Sequence, residues 1–288
     1  MFSLVLAAAL SFGESHARLA YETAGRLTAE YTPRDAGTMR GMAAANFILD
    51  AASAAGANAK LDRFHAKTPL GTRVFTNVSC EWTSNPTGEW VVVVSHYDTK
   101  RGVACPGAND GASTTGLLVG ICAALSEWKS PSGNVMLMWL DGEECIKAYL
   151  DDDGFQGSKR AAAELKASGR KVSAVICADM LGDRDLSIGL PRNTSAELRR
   201  IALKAAEGEG LSGRVVEMDE LVKDDHVAFQ KLGFRAVDLI DFEYGSAPGL
   251  NDYWHTERDT MDKVSVESLR ISGRLICRMI ESLLGLEG

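Results

Sequence analysis

A chain of 288 residues, 45% apolar and 24% charged, has the composition of an ordinary globular protein and the length for one large α/β domain or two small ones. Its 31 basic and 39 acidic residues give a formal net charge of −8, and no cluster of Lys and Arg is interleaved with aromatics, which argues against nucleic acid as a partner. The six cysteines, at 80, 105, 122, 145, 177 and 277, contain no C-x-x-C pair, so thiolate zinc ligation is not expected; an even number permits disulfides without arguing for them.

The chain opens MFSLVLAAALSFGESHA, a short apolar run from Leu4 to Leu10 followed by the small-x-small tripeptide Ser15-His16-Ala17. Over residues 1–17 this suits either a clipped export signal, which would place the protein outside the cytoplasm, or an N-terminal helix lying on the domain. No Lys or Arg precedes the run, and it is far too short to span a bilayer, so no transmembrane segment is expected. Without repeats, low-complexity tracts or a Pro- and Ser-rich linker, residues 12–288 read as a single catalytic-sized domain.

Apolar residues at helical spacing, Met42, Ala45, Ile48, Leu49 and Ala52, predict a helix from about Thr38 to Ala55 that Gly56 can end. Segments 59–66 and 73–82, flanking TPLGT, predict an antiparallel hairpin. The pattern then changes. EWVVVVSHYD has the continuous β-branched run of a strand buried on both faces, and the apolar helix TTGLLVGICAALSEW follows it. VMLMWLDGEE is a second strand with the helix GSKRAAAELKASG behind it, and VSAVICADMLGD is a third. FRAVDLIDF is a fourth, preceded by a helix around DDHVAFQKLG, and an amphipathic helix from about Val264 to Leu284 closes the chain. Strand and helix in alternation predict an α/β fold with a mostly parallel, mixed central sheet and helices on both faces. Ligands bind such sheets outside the carboxyl ends of the strands.

Each predicted strand ends in a residue able to bind a metal. The first ends in His96 and Asp98, with Asp110 in the loop beyond; the second ends at Glu143 and Glu144, the third at Asp179, and His255 follows the fourth. Taken singly, each has a plainer reading as a structural histidine, a helix cap or a turn residue. Together they bring His, Asp, Glu, Asp and His to one sheet edge, a donor set without thiolate that suits zinc. Of two adjacent glutamates, one can ligate the metal while its neighbour carries a proton. The small residues around Asp110 let the backbone approach closely.

The motifs H-x-D at 96–98, G-A-N-D-G-A-S at 107–113, E-E at 143–144, D-M-x-G-D at 179–183 and W-H-T-x-x-D-T at 254–260 follow in this order. In this arrangement, from about Phe12 to Leu284, the chain resembles the co-catalytic zinc aminopeptidase family, peptidase family M28, and its offshoot, the zinc-dependent glutaminyl cyclases. The resemblance implies a three-layer sandwich in which Asp110, Glu144 and His255 hold one zinc. In the aminopeptidase branch His96 and Asp179 hold a second, bridged by Asp110. Asp98 would orient His96 from behind, and Glu143 would be the general acid and base.

Towards the cyclases point the hairpin TPLGTRVFTNV, the long segment DGEECIKAYLDDDGFQGSKRAA, the doubled acid in KDDHVAF and Trp254 beside His255. That branch implies a single zinc and a hydrogen-bonded network of Asp179 and Asp224 with Glu143, whose shared protons raise the apparent pKa of the group. It also implies an aromatic pocket for a glutamine side chain, with Trp254 as one wall and Tyr149 where animal cyclases carry tryptophan. Ser95 stands where some animal cyclases have a disulfide cysteine. The expected activity is conversion of N-terminal Gln of peptides or proteins to pyroglutamate with release of ammonia; the alternative is a two-zinc aminopeptidase. A non-enzymatic binding protein on the same scaffold would be expected to have lost a ligand, and none is lost. His16, His65 and His226 are read as non-ligands, and Cys105 and Cys145 as bystanders.

Overall fold

The computed structural model describes residues 9–128, 133–150 and 152–286. In chain order its elements are helices α1 (Glu14–Tyr31) and α2 (Met39–Ala54), strands β1 (Lys60–Thr68), β2 (Gly71–Thr83) and β3 (Trp90–His96), helix α3 (Thr114–Glu127), strand β4 (Asn134–Leu140), helix α4 (Gln156–Ser168), strands β5 (Val172–Asp179) and β6 (Ile188–Leu190), helix α5 (Ala196–Gly208), strand β7 (Val215–Glu217), helix α6 (His226–Lys231), strand β8 (Ala236–Ile240) and helix α7 (Val266–Leu283). The expected helices and strands are all present. The short β6 and β7, the helix α5 between them and the part of α1 beyond residue 17 are additions, in stretches to which the sequence pattern assigned nothing.

The eight strands form one sheet in the order β1-β2-β4-β3-β5-β8-β6-β7. The central strands β4, β3, β5 and β8 run parallel, while β1, β2 and the β8–β6 contact are antiparallel. Successive side chains of a strand face opposite sides, and here both sides are covered. Val91 and Val93 pack with α1, α2, α3, α5 and α7 on one face, and Val92 and Val94 pack with α4 and α6 on the other. This explains why these strands read as uninterrupted apolar runs.

Helix α1 belongs to the larger core, with Ala17, Ala20, Ala24 and Leu27 fully buried. The tripeptide Ser15-His16-Ala17 forms its first turn, and of the apolar run before it residues 4–8 lie outside the described residues. α1 and α3 cross at very short range because α3 carries glycines at the contact. A Cβ on Gly116 would lie 2.1 Å from the Ala20 carbonyl oxygen, and one on Gly120 2.7 Å from that of His16. Gly116→Ala is therefore expected to destabilise the protein by about 3 kcal/mol, the upper part of the overpacking range. Gly213→Ala, where a Cβ meets nothing within 4 Å, is expected to change stability by less than about 0.5 kcal/mol; urea unfolding of the two variants checks both.

Candidate metal centre

The parallel strands deliver their last residues to one edge, and the loops beyond are held by buried polar contacts. β3 ends at His96, and the chain continues to Asp98, which is fully buried. Both oxygens of Asp98 are used to fix the loop after β4: Oδ1 accepts the backbone N–H of Glu143 at 3.2 Å and Oδ2 that of Glu144 at 3.1 Å. Its Oδ1 lies 3.5 Å from His96 Nδ1, too far and too poorly aligned for a hydrogen bond. Asp98 thus positions the paired glutamates at least as much as it orients His96.

Asp110 lies in a kinked turn, 108–113, that leads into α3. Gly111 in this turn has φ +90°, and a Cβ there would stand 3.1 Å from His96 Cε1 and 3.0 Å from the Asp98 carbonyl oxygen, so only glycine lets the turn close on the histidine. Asp259 anchors the turn from beneath, accepting the N–H groups of Asn109 at 2.7 Å and Asp110 at 3.1 Å and the Tyr244 hydroxyl at 2.7 Å. The fully buried Arg34 donates to the carbonyls of Tyr97, Pro106 and Gly107, which ties the same loop to the end of β3. His255 is held in the left-handed region, φ 56°, with its ring stacked on Trp254 at 3.9 Å. A non-glycine residue keeps that conformation only where its surroundings impose it.

Two groups of three donors result, sharing Asp110. His255 Nε2 lies 3.2 Å from Asp110 Oδ2 and 2.6 Å from Glu144 Oε1. His96 Nε2 lies 3.1 Å from Asp110 Oδ1 and 3.1 Å from Asp179 Oδ1. Ligand atoms about 2.0–2.2 Å from a tetrahedral zinc ion are separated by about 3.3 Å, so both groups are of the right size and donor type. Lys100 Nζ, 3.2 Å from Glu144 Oε2, supplies positive charge on the outer side.

The site's acids are driven apart in proton affinity by their surroundings. Against the desolvation that would raise it, hydrogen bonds from His255 and His96 hold Asp110 well below the usual carboxylate range. Burial pushes Glu143 well above that range, with the Glu144 charge adding to the effect. Burial also raises Asp179, to about 7, against the pull of His96. The hydrogen bonds expected among Glu143, Asp179 and Asp224 run elsewhere. Asp179 bonds to His96, Asp224 lies 3.3 Å from the Cys177 thiol and accepts the Asp225 N–H, and Glu143 faces the Tyr149 hydroxyl at 3.5 Å. Asp224 acts on Glu143 through its charge. It lines the same cavity as Glu143 and Asp179 and also lies close to the buried Cys177 and Asp238.

A cavity of about 320 Å³ opens over Asp110, Glu143, Glu144, Asp179 and His255, walled by Tyr149, Phe242 and Trp254. Tyr149 reaches Glu144 Oε2 at 3.1 Å, and Phe242 packs 5.4 Å from Trp254. His16 caps α1 and meets Glu127, His65 is exposed on β1, and His226 contacts Asn193 and Asp238, so none of the three joins either donor group. Cys105 contacts Asp259 and Cys145 contacts Lys100, and all six cysteines are free. The residues that sequence reasoning missed are Arg34, Lys100, Phe242, Tyr244 and Asp259. Only Asp259 left a signal, as the fixed acid of W-H-T-x-x-D-T.

Residues 77–280 match the model of peptidase family M28. The chain is 26% identical over 277 residues to glutaminyl-peptide cyclotransferase of Drosophila melanogaster, covering 84% of this chain and 76% of that protein. Its structure is similar to the crystal structure of Acidobacteriales bacterium glutaminyl cyclase, with 31% identity, a TM-score of 0.89 and 99% of each chain covered. That of Porphyromonas gingivalis glutaminyl cyclase is similar at 25% identity and a TM-score of 0.82, over 96% of this chain and 99% of that one.

Because Asp259 holds the backbone that carries Asp110, Asp259→Ala is expected to weaken zinc binding by about 10- to 100-fold, as loss of a ligand's supporting partner does. Competition with a chromophoric chelator measures this, and Glu257→Ala, on the exposed side of the same turn, is the control without effect.

Proposed function

The chain belongs to peptidase family M28, in its glutaminyl cyclase group, and from that premise we propose that it closes the N-terminal glutamine of peptides or proteins into pyroglutamate with release of ammonia. The observation that carries the reading is the unequal treatment of two adjacent glutamates. Glu144 is paired with His255, Lys100 and Tyr149, whereas the side chain of Glu143, buried beside it, has among the described residues a single long contact, to the Tyr149 hydroxyl, and is pushed towards the protonated form.

Asp110, Glu144 and His255 would hold one zinc ion, which when bound polarises a carbonyl group. The aromatic walls of the cavity, Trp254 and Phe242 with Tyr149 at the rim, would seat the neutral glutamine side chain and keep bulk water from it. As the substrate's neutral α-amine bonds to the side-chain amide carbon, the carboxylate of Glu143 takes a proton from that amine nitrogen and delivers it to the amide nitrogen, which leaves as ammonia as its bond to the carbon breaks. Both transfers need a group whose proton affinity lies near neutrality, and burial beside Glu144, with the charge of Asp224 nearby, raises Glu143 in that direction. Asp179, raised to about 7, borders the same cavity and would share in stabilising the proton.

The group His96–Asp110–Asp179 supports the second reading, a two-zinc aminopeptidase in which Glu143 takes its proton from water instead. Titration of zinc into the chelator-treated protein separates the two. Full activity at one equivalent is expected, and activity that follows the second equivalent would favour hydrolysis. On a Gln-initiated peptide, mass spectrometry should show loss of 17 Da, with a Leu-initiated peptide left intact; trimming of either residue would overturn the cyclase reading. Glu143→Gln should lower kcat by about 10²- to 10⁴-fold with zinc content unchanged.

A further inference from the structure

A second and larger cavity, about 570 Å³, lies beside the first and shares Tyr149 and Lys223 with it. Tyr149 is the wall between them: its hydroxyl reaches Glu144 on the metal side, and its ring stacks on Phe155 at 4.8 Å on the other. The floor of this groove is apolar, formed by Leu150, Phe155, Val227 and Leu232, and two of these face solvent, Leu150 at 64% and Leu232 at 37% exposure. Apolar side chains left open beside a polar rim mark a binding surface more than a folding requirement.

The rim is cationic. Among the described residues, Lys159, Lys223 and Lys231 line the groove and no carboxylate does, in a chain whose formal net charge is −8. Lys159 donates to the Gly154 carbonyl at 2.9 Å, and among the described residues neither Lys223 nor Lys231 has an acidic partner. A free peptide segment entering the metal cavity amino terminus first would leave it across Tyr149 and Lys223, with its following residues over this floor.

We infer that the groove is a subsite for the residues that follow the substrate's N-terminal one, and that it selects a segment carrying an apolar side chain beside an acidic one. The inference rests on the reading of the metal cavity as a site for peptide N-termini. The apolar side chain gains from the floor and the acid from Lys223 and Lys231, and the second contribution is screened by salt.

The test compares the peptides Gln-Leu-Glu-Leu-amide and Gln-Leu-Lys-Leu-amide at low ionic strength. The acidic peptide should have the higher kcat/KM by about five- to tenfold, the range of one or two rim ion pairs. The ratio should shrink at high salt and approach one or invert in Lys223→Glu and, independently, in Lys231→Glu. Cyclisation of both peptides with an equal ratio in all three proteins would overturn the groove and leave the cyclase reading standing. Calorimetric binding of the same two peptides to the zinc-loaded Glu143→Gln protein reads the groove without turnover. A tighter complex with the acidic peptide, where the wild-type protein cyclises neither, would support the groove and remove the glutamine reading; equal affinities would overturn the groove.

Discussion

Removing a carboxylate from water costs several kcal/mol unless a proton, a cation or a set of donors meets it, and this protein buries Asp98, Asp110, Glu143, Glu144, Asp179, Asp224 and Asp259 at one end of its sheet. How each is met organises the site. Asp98 and Asp259 accept backbone N–H groups and so fix the two loops that carry the other acids. Asp110 turns one oxygen to each histidine, Asp179 meets His96, and Glu144 has His255 and Lys100. Of the acids that border the metal cavity, Glu143 has the weak 3.5 Å contact to the Tyr149 hydroxyl among the described residues, and on the proposed reading this leaves it free to carry a proton.

The fold makes this crowding possible by geometry alone. Parallel strands all end at the same edge, so β3, β4 and β5 release His96, the paired glutamates and Asp179 into one volume although 83 positions separate the first from the last. The hydrogen-bonded ladder of the sheet and the helices packed on both faces hold that edge rigid, and the glycine turn at 111 brings Asp110 in from the side. His255 arrives from a loop after the fourth strand in a backbone conformation that its neighbours impose, with Trp254 stacked on its ring. Side chains held in this way lose little further freedom when a metal or a substrate arrives, which is the condition for tight ligation and for aligned proton transfer.

On the proposed reading, the two cavities divide recognition between them. The smaller one is acidic at its base and aromatic on its walls, suited to a metal and a neutral side chain. The larger one is apolar and rimmed by lysine. Tyr149 belongs to both, bonded to Glu144 on one side and stacked on Phe155 on the other, so the part of the substrate that reacts and the part that follows it would be read by surfaces of opposite character.

Much of the fold and the site was legible in the chain. Val91 to Val94 and Val135 to Leu140 could only be strands buried on both faces, and the metal-binding types at their ends needed only the rule that parallel strands share an edge. The three-residue strands β6 and β7 showed no pattern, because so few residues carry no period. The hairpin was readable, but its antiparallel place on the edge beside β4 was not. Local order follows from the spacing of apolar residues and from turn chemistry, which the sequence by itself determines. That Asp259 supports the turn bearing Asp110 from 149 positions away, that Arg34 binds the same loop, and that Asp224 bonds to Cys177 while acting on Glu143 only through charge were decided by the tertiary structure, because hydrogen bonds and burial depend on distance in space and the sequence records only distance along the chain.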